Sequence, residues 1–265
     1  MLALIAGQGK LPVELTHRLA AEGQAFQLFE LAGFGFDNPD GLDVTPFRIE
    51  HLGSFIDKLV AEGFREVCFA GAIGRPKIDV NAIDAATWPL LGRIQGAITA
   101  GADGALRAVV QLFEDHGFRV VGAHDIAPDL LPDVGFPTKA QPGPDHLTDI
   151  QIGWSILDQQ GARDSGQASV IAGGKMLVEE DETGTDAMLA TVQDAEGGIL
   201  FKGPKPDQDR RVDLPTIGVR TVAGAKDAGL AGIGIEAQGV LVLDLAGVIS
   251  ACDEAGLFLA VVERP

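Results

Sequence analysis

Residues 2–23 read LALIAGQGKLPVELTHRLAAEG. Five apolar residues run unbroken, glycines follow at 7 and 9, and Leu15 and Leu19 then recur on one helical face. A short apolar run is a buried strand, the glycines are a tight turn, and the spacing is a helix. The pattern recurs downstream. FQLFEL (26–31) reads as a second strand, and FRIEHLGSFIDKLVAEGF (47–64) contains a helix ending at Gly63. REVCFAGAI (65–73) is a further buried strand, and a helix from about Gly104 to His116 leads into FRVVGA (118–123). Strands alternating with helices predict a parallel sheet. Residues 1–127 are therefore expected to form a Rossmann-like domain for a nucleotide or similar ligand.

The next stretch changes character. Residues 128–145 carry Pro128, Pro132, Pro137, Pro142 and Pro144. Proline at that density blocks regular structure and stiffens a connector, so this segment is expected to link two domains. Residues 146–265 then predict a second α/β domain. HLTDIQIGWSILDQQG reads as a helix and ASVIAGGKMLVEE (168–180) as a hairpin around Gly173-Gly174. TDAMLATVQDA (185–195) reads as a helix with Thr185 or Asp186 near its N-cap. GGILFK, GIGIEA, GVLVLD and LFLAVV supply strands, with helices near 219–228 and 246–255. The fold class is α/β: an N-terminal Rossmann-like parallel-sheet domain plus a second C-terminal α/β domain.

Charge excludes some functions. The formal net charge is −18. A nucleic-acid binder needs a basic footprint, so no nucleic-acid partner is expected. Both cysteines, Cys68 and Cys252, sit in apolar runs and read as small core residues. The N-terminus lacks a basic leader, and no apolar run reaches the ~18 residues of a membrane span. A cytoplasmic, soluble protein is the expectation. The five histidines show no metal-ligand spacing, so zinc is not expected.

Five segments carry chemistry. In IAGQGKLP (5–12), Gly7 and Gly9 bring backbone N–H groups near a helix start, where a phosphate can bind; the alternative is a structural turn. The dinucleotide fingerprint needs a third glycine where Pro12 stands, which weighs against an NAD-dependent oxidoreductase. GAIGRPK (71–77) follows a strand, and Gly71, Ile73, Gly74, Arg75 and Lys77 suit a phosphate or sugar hydroxyl; the alternative is an exposed basic turn. Asp103 in GADGALRAVV is a helix cap or a ligand contact. Thr185 and Asp186 in ETGTDAML cap a helix or present a carboxylate to a ligand. KGPKPDQDRRVDLPTIG (202–218) packs Lys202, Lys205, Arg210 and Arg211 into ten residues, with Asp207, Asp209 and Asp213 interleaved. Cations favour an anion, and carboxylates suit a hard divalent cation such as Mg2+. Together they equip phosphoryl chemistry, which is positioning plus charge stabilisation. The alternative is a solvated loop closed by its own ion pairs.

These segments, in this order, resemble the UDP-2,3-diacylglucosamine pyrophosphatases of lipid A biosynthesis, the type unrelated to calcineurin-like phosphoesterases. The likeness rests on IAGQGKLP, GAIGRPK, GTDAML and KGPKPDQDRRVDLPTIG followed by TV…AGLAGI, and it extends through ACDEAGLFL. Two departures are visible: Thr183, with Glu182 beside it, stands where the family has Glu before Gly-Thr-Asp, and Ala102 and Gly104 flank Asp103 in place of an Asp-Asp step.

The resemblance implies a Mg2+-dependent hydrolase. It would cleave UDP-2,3-diacylglucosamine to UMP and 2,3-diacylglucosamine 1-phosphate (lipid X), as a homodimer making transient contact with the inner-membrane surface. The net charge opposes strong attraction to an anionic leaflet. In this scheme Asp213 ligates the metal or orients the attacking water, and Asp186 serves the same ion. The chain enters LPTIG after Asp213 as if to start a helix. Lys202, Lys205 and Arg211 neutralise the pyrophosphate; Gln208 and Asp209 position or bind, with Asp209 a second metal ligand; and Thr185 and Thr216 contact substrate. The rival from another class is a non-catalytic nucleotide-sugar or lipid-binding protein.

Overall fold

A computed structural model describes residues 1–74, 76–206 and 208–265, with the backbone alone for Ile98 and Ala102. Arg75 and Asp207 lie outside the described residues. The chain divides into two compact units, 1–128 and 129–265.

The first unit is laid down by the opening run. Strand β1 (Leu2–Ala6) is buried throughout. Helix α1 (Leu11–Ala21) follows with Pro12 in its first turn, where a missing N–H costs nothing, and turns Leu15 and Leu19 inward. Next come β2 (Phe26–Leu31), β3 (Val44–Phe47), α2 (Leu52–Ala61) and β4 (Glu66–Ala70). Then follow α3 (Leu91–Thr99), α4 (Ala102–Asp115), β5 (Arg119–Val120) and the short α5 (Ala123–Ile126). The sheet order is β3-β2-β1-β4-β5, and every pairing is parallel. The chain builds outward from β1 to β3 and then returns to the other side of β1, so strand order reverses between β1 and β4. Strand β3 is absent from the sequence reading. Its Pro46 argues against a central strand, but an edge strand has an open side and tolerates proline.

The second unit begins with the proline-rich stretch. That segment is not a free connector: Gly135 exchanges backbone hydrogen bonds with Val261, and the Thr138 hydroxyl accepts from Leu259 N at 2.9 Å. Helix α6 (Pro144–Arg163) leads to the hairpin β6 (Ala168–Ala172) and β7 (Lys175–Glu179). The remainder is α7 (Thr185–Thr191), β8 (Ile199–Lys202), β9 (Thr216–Ile217), α8 (Val219–Asp227), β10 (Gly232–Glu236), β11 (Leu241–Val242), α9 (Leu245–Ala255) and β12 (Phe258–Val262). The main sheet runs β12-β10-β8-β6-β7, with β12, β10 and β8 parallel and the hairpin antiparallel.

Side chains alternate across that sheet. Ile199 and Phe201 join Ile150, Trp154 and Leu157 of α6 on one face. Leu200 faces the opposite way, into a cluster with Leu189, Val222 and Val248 from α7, α8 and α9. The sheet therefore has α6 on one side and α7 to α9 on the other. Period-two alternation also puts Lys202 on the face of Leu200, toward the side that carries α7.

Three expectations are corrected here. Helix α7 stops at Thr191, because Val192 is extended and Asp194 takes a positive φ of 55°. Of GVLVLD only Leu241–Val242 is strand, and it pairs with β9 outside the main sheet. LPTIG contains β9 and starts no helix; α8 begins at Val219.

Candidate functional site

Open parallel sheets bind ligands outside the carboxyl ends of their strands, where strand order reverses. In the first unit that place is the β1/β4 edge, and the two glycine motifs flank it. They are laced together: Gly7 N donates to Ala70 O at 2.7 Å, and Gln8 and Ala72 exchange backbone bonds of 2.8 and 2.9 Å. A Cβ on Gly7 would stand 2.6 Å from Ala72 O, and one on Gly71, at φ +88°, 2.5 Å from Gln8 O. Glycine at both positions is what allows the loops to meet. Beyond this seam, Gly9, Ile73, Gly74 and Lys77 are exposed, and Gly74 backs onto the Phe34 ring. Asp103 lies in the first turn of α4, where a carboxylate complements the helix dipole, while Gly101 takes the N-cap position.

The second unit concentrates its charge differently. Lys202, at the end of β8, is only 6% exposed. Its Nζ donates to Thr185 Oγ1 at 2.6 Å, and the Thr185 hydroxyl donates to Glu180 Oε1. Burial pushes the Lys202 ammonium below its ordinary value, against the charges of Glu180, Asp186 and Asp213, which raise it. Thr185 and Asp186 occupy the first turn of α7, with Gly184 at the N-cap, so the Thr185 hydroxyl serves the lysine and does not cap. Asp186 pairs with Arg220 at 2.7 Å in an open setting.

The loop after β8 is not a solvated turn. Pro204, Lys205 and Gln208 are buried. Lys205 Nζ donates to Asp164 Oδ1 at 2.7 Å. Its backbone N–H donates to Gln208 Oε1 at 2.8 Å, and Gln208 Nε2 reaches Gln167 Oε1 at 2.9 Å. Arg210 donates to the buried Glu236 at 2.7 Å. Arg211 grips both carboxylate oxygens of Asp209, at 3.0 and 2.7 Å. Each of the loop's four cations thus has a carboxylate. The ion pairs expected under the alternative reading exist, but three of the four carboxylates lie outside the loop. Asp213 is half-buried, and its N–H donates to Asp209 O at 3.1 Å, which closes a turn ahead of β9. Thr216 is half-buried in β9, which pairs in parallel with β11.

Among the described residues no group of three or more His, Cys, Asp or Glu side chains is spaced to hold a metal ion. The thiols of Cys68 and Cys252 are fully buried, and burial pushes them up to about 12 and about 11, so neither is a ready nucleophile. No helix among the described residues is long and apolar enough to cross a membrane.

Sequence reasoning brought Lys202, Thr185, Asp186 and Asp213 to notice, and their charges and hydrogen bonds meet around one buried amine. It missed Glu180, Asp164 and Glu236. The family departure drew attention to Glu182, which is exposed; the carboxylate that reaches Thr185 belongs to Glu180. One signal was available: Glu180 directly follows strand β7, five residues before Thr185, and its N–H pairs with Ala168 of the hairpin's first strand.

Fold and site define a class: a two-unit α/β protein whose second unit holds a buried amine among carboxylates, an arrangement suited to phosphoanhydride chemistry. The chain belongs to the LpxI family. The LpxI N-terminal domain matches residues 1–130 and the LpxI C-terminal domain residues 133–260. The UDP-2,3-diacylglucosamine pyrophosphatase LpxI of Caulobacter vibrioides is 40% identical over 277 residues, covering 100% of this chain and 99% of that protein.

Proposed function

We propose that this protein hydrolyses UDP-2,3-diacylglucosamine to UMP and 2,3-diacylglucosamine 1-phosphate, a step of lipid A biosynthesis. The observation that carries the reading is the 40% identity, spanning both chains almost entirely, to a pyrophosphatase of that specificity. The Lys202 cluster gives it a chemical basis.

Water adds through its oxygen to one phosphorus and gives up a proton to the solvent, the bond from that phosphorus to the bridging oxygen breaks, and the bridging oxygen leaves on the other phosphate. Asp213 orients the attacking water by accepting its hydrogen bond. Lys202 meets the phosphate oxygens from a low-dielectric setting, where a fixed charge acts more strongly than in water. Lys205 and Arg211 extend the positive lining, each held by its carboxylate, and Gln208 fixes the turn that carries them.

Magnesium fits this donor set as a shared ion, since it is commonly held by one or two carboxylates with phosphates and water completing the shell. Asp213 and Asp186 would hold it, and the Asp186–Arg220 pair is exposed enough to yield at little cost. Asp209 joins them only if Arg211 releases both its oxygens. When bound, the ion supplies Lewis-acid polarisation of the phosphoryl group. Two copies of the chain form the working enzyme, which meets its lipid substrate at the inner-membrane surface.

The test is UMP release from synthetic UDP-2,3-diacylglucosamine with Mg2+ and again with EDTA. Release that EDTA abolishes and Mg2+ restores is the expected result. Binding of the substrate with no UMP formed favours the non-catalytic reading.

A further inference from the structure

Glu180 is a buried carboxylate that this reaction scheme leaves unused. It continues the hairpin ladder: its N–H donates to Ala168 O at 2.9 Å, and its carbonyl accepts from Gly166 N at 3.2 Å. A Cβ on Gly166 would stand 2.3 Å from that carbonyl oxygen, so the close approach needs glycine. Glu180 Oε2 accepts the Gln167 N–H at 2.8 Å, and Oε1 takes the Thr185 hydroxyl. Lys202 Nζ lies 3.9 Å from the same Oε1. Glu180 and Lys202 are each 6% exposed, and Thr185 is 9% exposed.

Hydrogen counting fixes the direction of this chain. A threonine hydroxyl carries one hydrogen, and Glu180 receives it. The lone pairs of Thr185 then accept from Lys202, whose ammonium can only donate. One of the three ammonium N–H bonds is thereby fixed in direction. A buried Lys–Glu pair is weak evidence for stability, because an apolar pair of similar volume commonly serves as well. The polar chain therefore calls for another reason, and it borders Asp186, the next residue after Thr185.

We propose that Glu180 and Thr185 are positioning residues that fix the Lys202 ammonium for the phosphate oxygens of the substrate. This rests on the hydrolase reading above. The carboxylate keeps the hydroxyl hydrogen turned away from the lysine, and the hydroxyl oxygen fixes where Nζ sits.

The experiment compares the native protein with Thr185→Val, Thr185→Ser and Glu180→Gln, reading kcat and KM for UMP release and the thermal midpoint of each. Thr185→Val should lower kcat about 100-fold, the loss expected when a positioned group shifts by ~1 Å, with KM within about threefold. Thr185→Ser keeps the hydroxyl and should recover most of that loss. Glu180→Gln should fall between them once its kcat is corrected for folded fraction, because removing the anion of a buried pair also lowers its thermal midpoint. Native kcat in both Thr185→Val and Glu180→Gln, or a Ser variant no better than Val, overturns the relay. So does a kcat that falls only in step with the folded fraction. If Thr185→Val does not fold, Thr185→Ser against Glu180→Gln decides: equal, native-like kcat in both overturns it. No UMP from the native protein sinks the hydrolase reading and the relay together; UMP from the native protein with unaffected variants sinks the relay alone.

Discussion

At the β1/β4 edge of the first unit, the candidate site is built of backbone. Gly7 and Gly71 let two loops touch, and the groups beyond the seam are exposed. Around Lys202 the second unit does the reverse. There both lysines are buried while Arg210 stays exposed, and each is held by a partner from elsewhere in the chain: Lys202 by Thr185 and Glu180, Lys205 by Asp164, Arg210 by Glu236. The first arrangement suits a ligand that must come and go. The second suits charge that must stay in place while bonds change, since preorganised charge in a dry site needs no rearrangement during the reaction.

Substitutions should separate the two regions. The largest effect belongs to Lys202→Met, which leaves Glu180 buried without its cation. Removing one partner of a buried pair costs about 3–5 kcal/mol, so urea unfolding should shift strongly and UMP release should fail. A native-like urea midpoint would show that the pair is dispensable. Gly71→Ala comes next. It sets a Cβ against Gln8 O at a positive φ and should destabilise the fold by about 1–3 kcal/mol, leaving kcat largely intact at saturating substrate while KM rises. A fall in kcat with KM unchanged would move the chemistry toward the first unit.

The acid response of Glu50 is smaller. Burial alone would raise its carboxyl, but the Asp79 backbone N–H and the Arg48 guanidinium outweigh burial and hold it at about 2, against an ordinary 4.5. Its stabilising contribution is complete above about 4.5 and is lost as pH falls through about 2. Glu50→Gln should therefore narrow the stability gap between neutral and acid pH, as read from thermal midpoints across that range. An unchanged gap would contradict it. Arg211→Lys should do least to stability, about 0.2–1 kcal/mol, because the pair with Asp209 is partly exposed. Its effect should show in KM, as a lysine cannot grip both carboxylate oxygens.

The same contrast explains what was legible in the sequence. Backbone-driven features announce themselves locally: the run 2–6, the glycines at 7 and 71 and the hairpin at Gly173-Gly174 each sit beside the element they create. Strand β3 escaped because Pro46 is informative only once its edge position is known. LPTIG was misread as a helix start because β9 is two residues long and its partner β11 lies over twenty residues away. The cations of 202–211 were conspicuous, but their partners were not. Glu180, Asp164 and Glu236 are scattered through the chain, and only the fold brings them to their lysines and arginine. Residue type pointed to an anion; the burial and pairing of these cations are properties of the assembled sheet.

The most direct test is the rate of UMP release from UDP-2,3-diacylglucosamine by the native protein and by Asp213→Ala, at equal folded concentration and saturating Mg2+. The account predicts UMP and 2,3-diacylglucosamine 1-phosphate in equal amounts from the native protein. It predicts turnover at least about 100-fold slower in the variant, the scale expected for losing a group that orients the reacting water. Equal rates from the two proteins would contradict it.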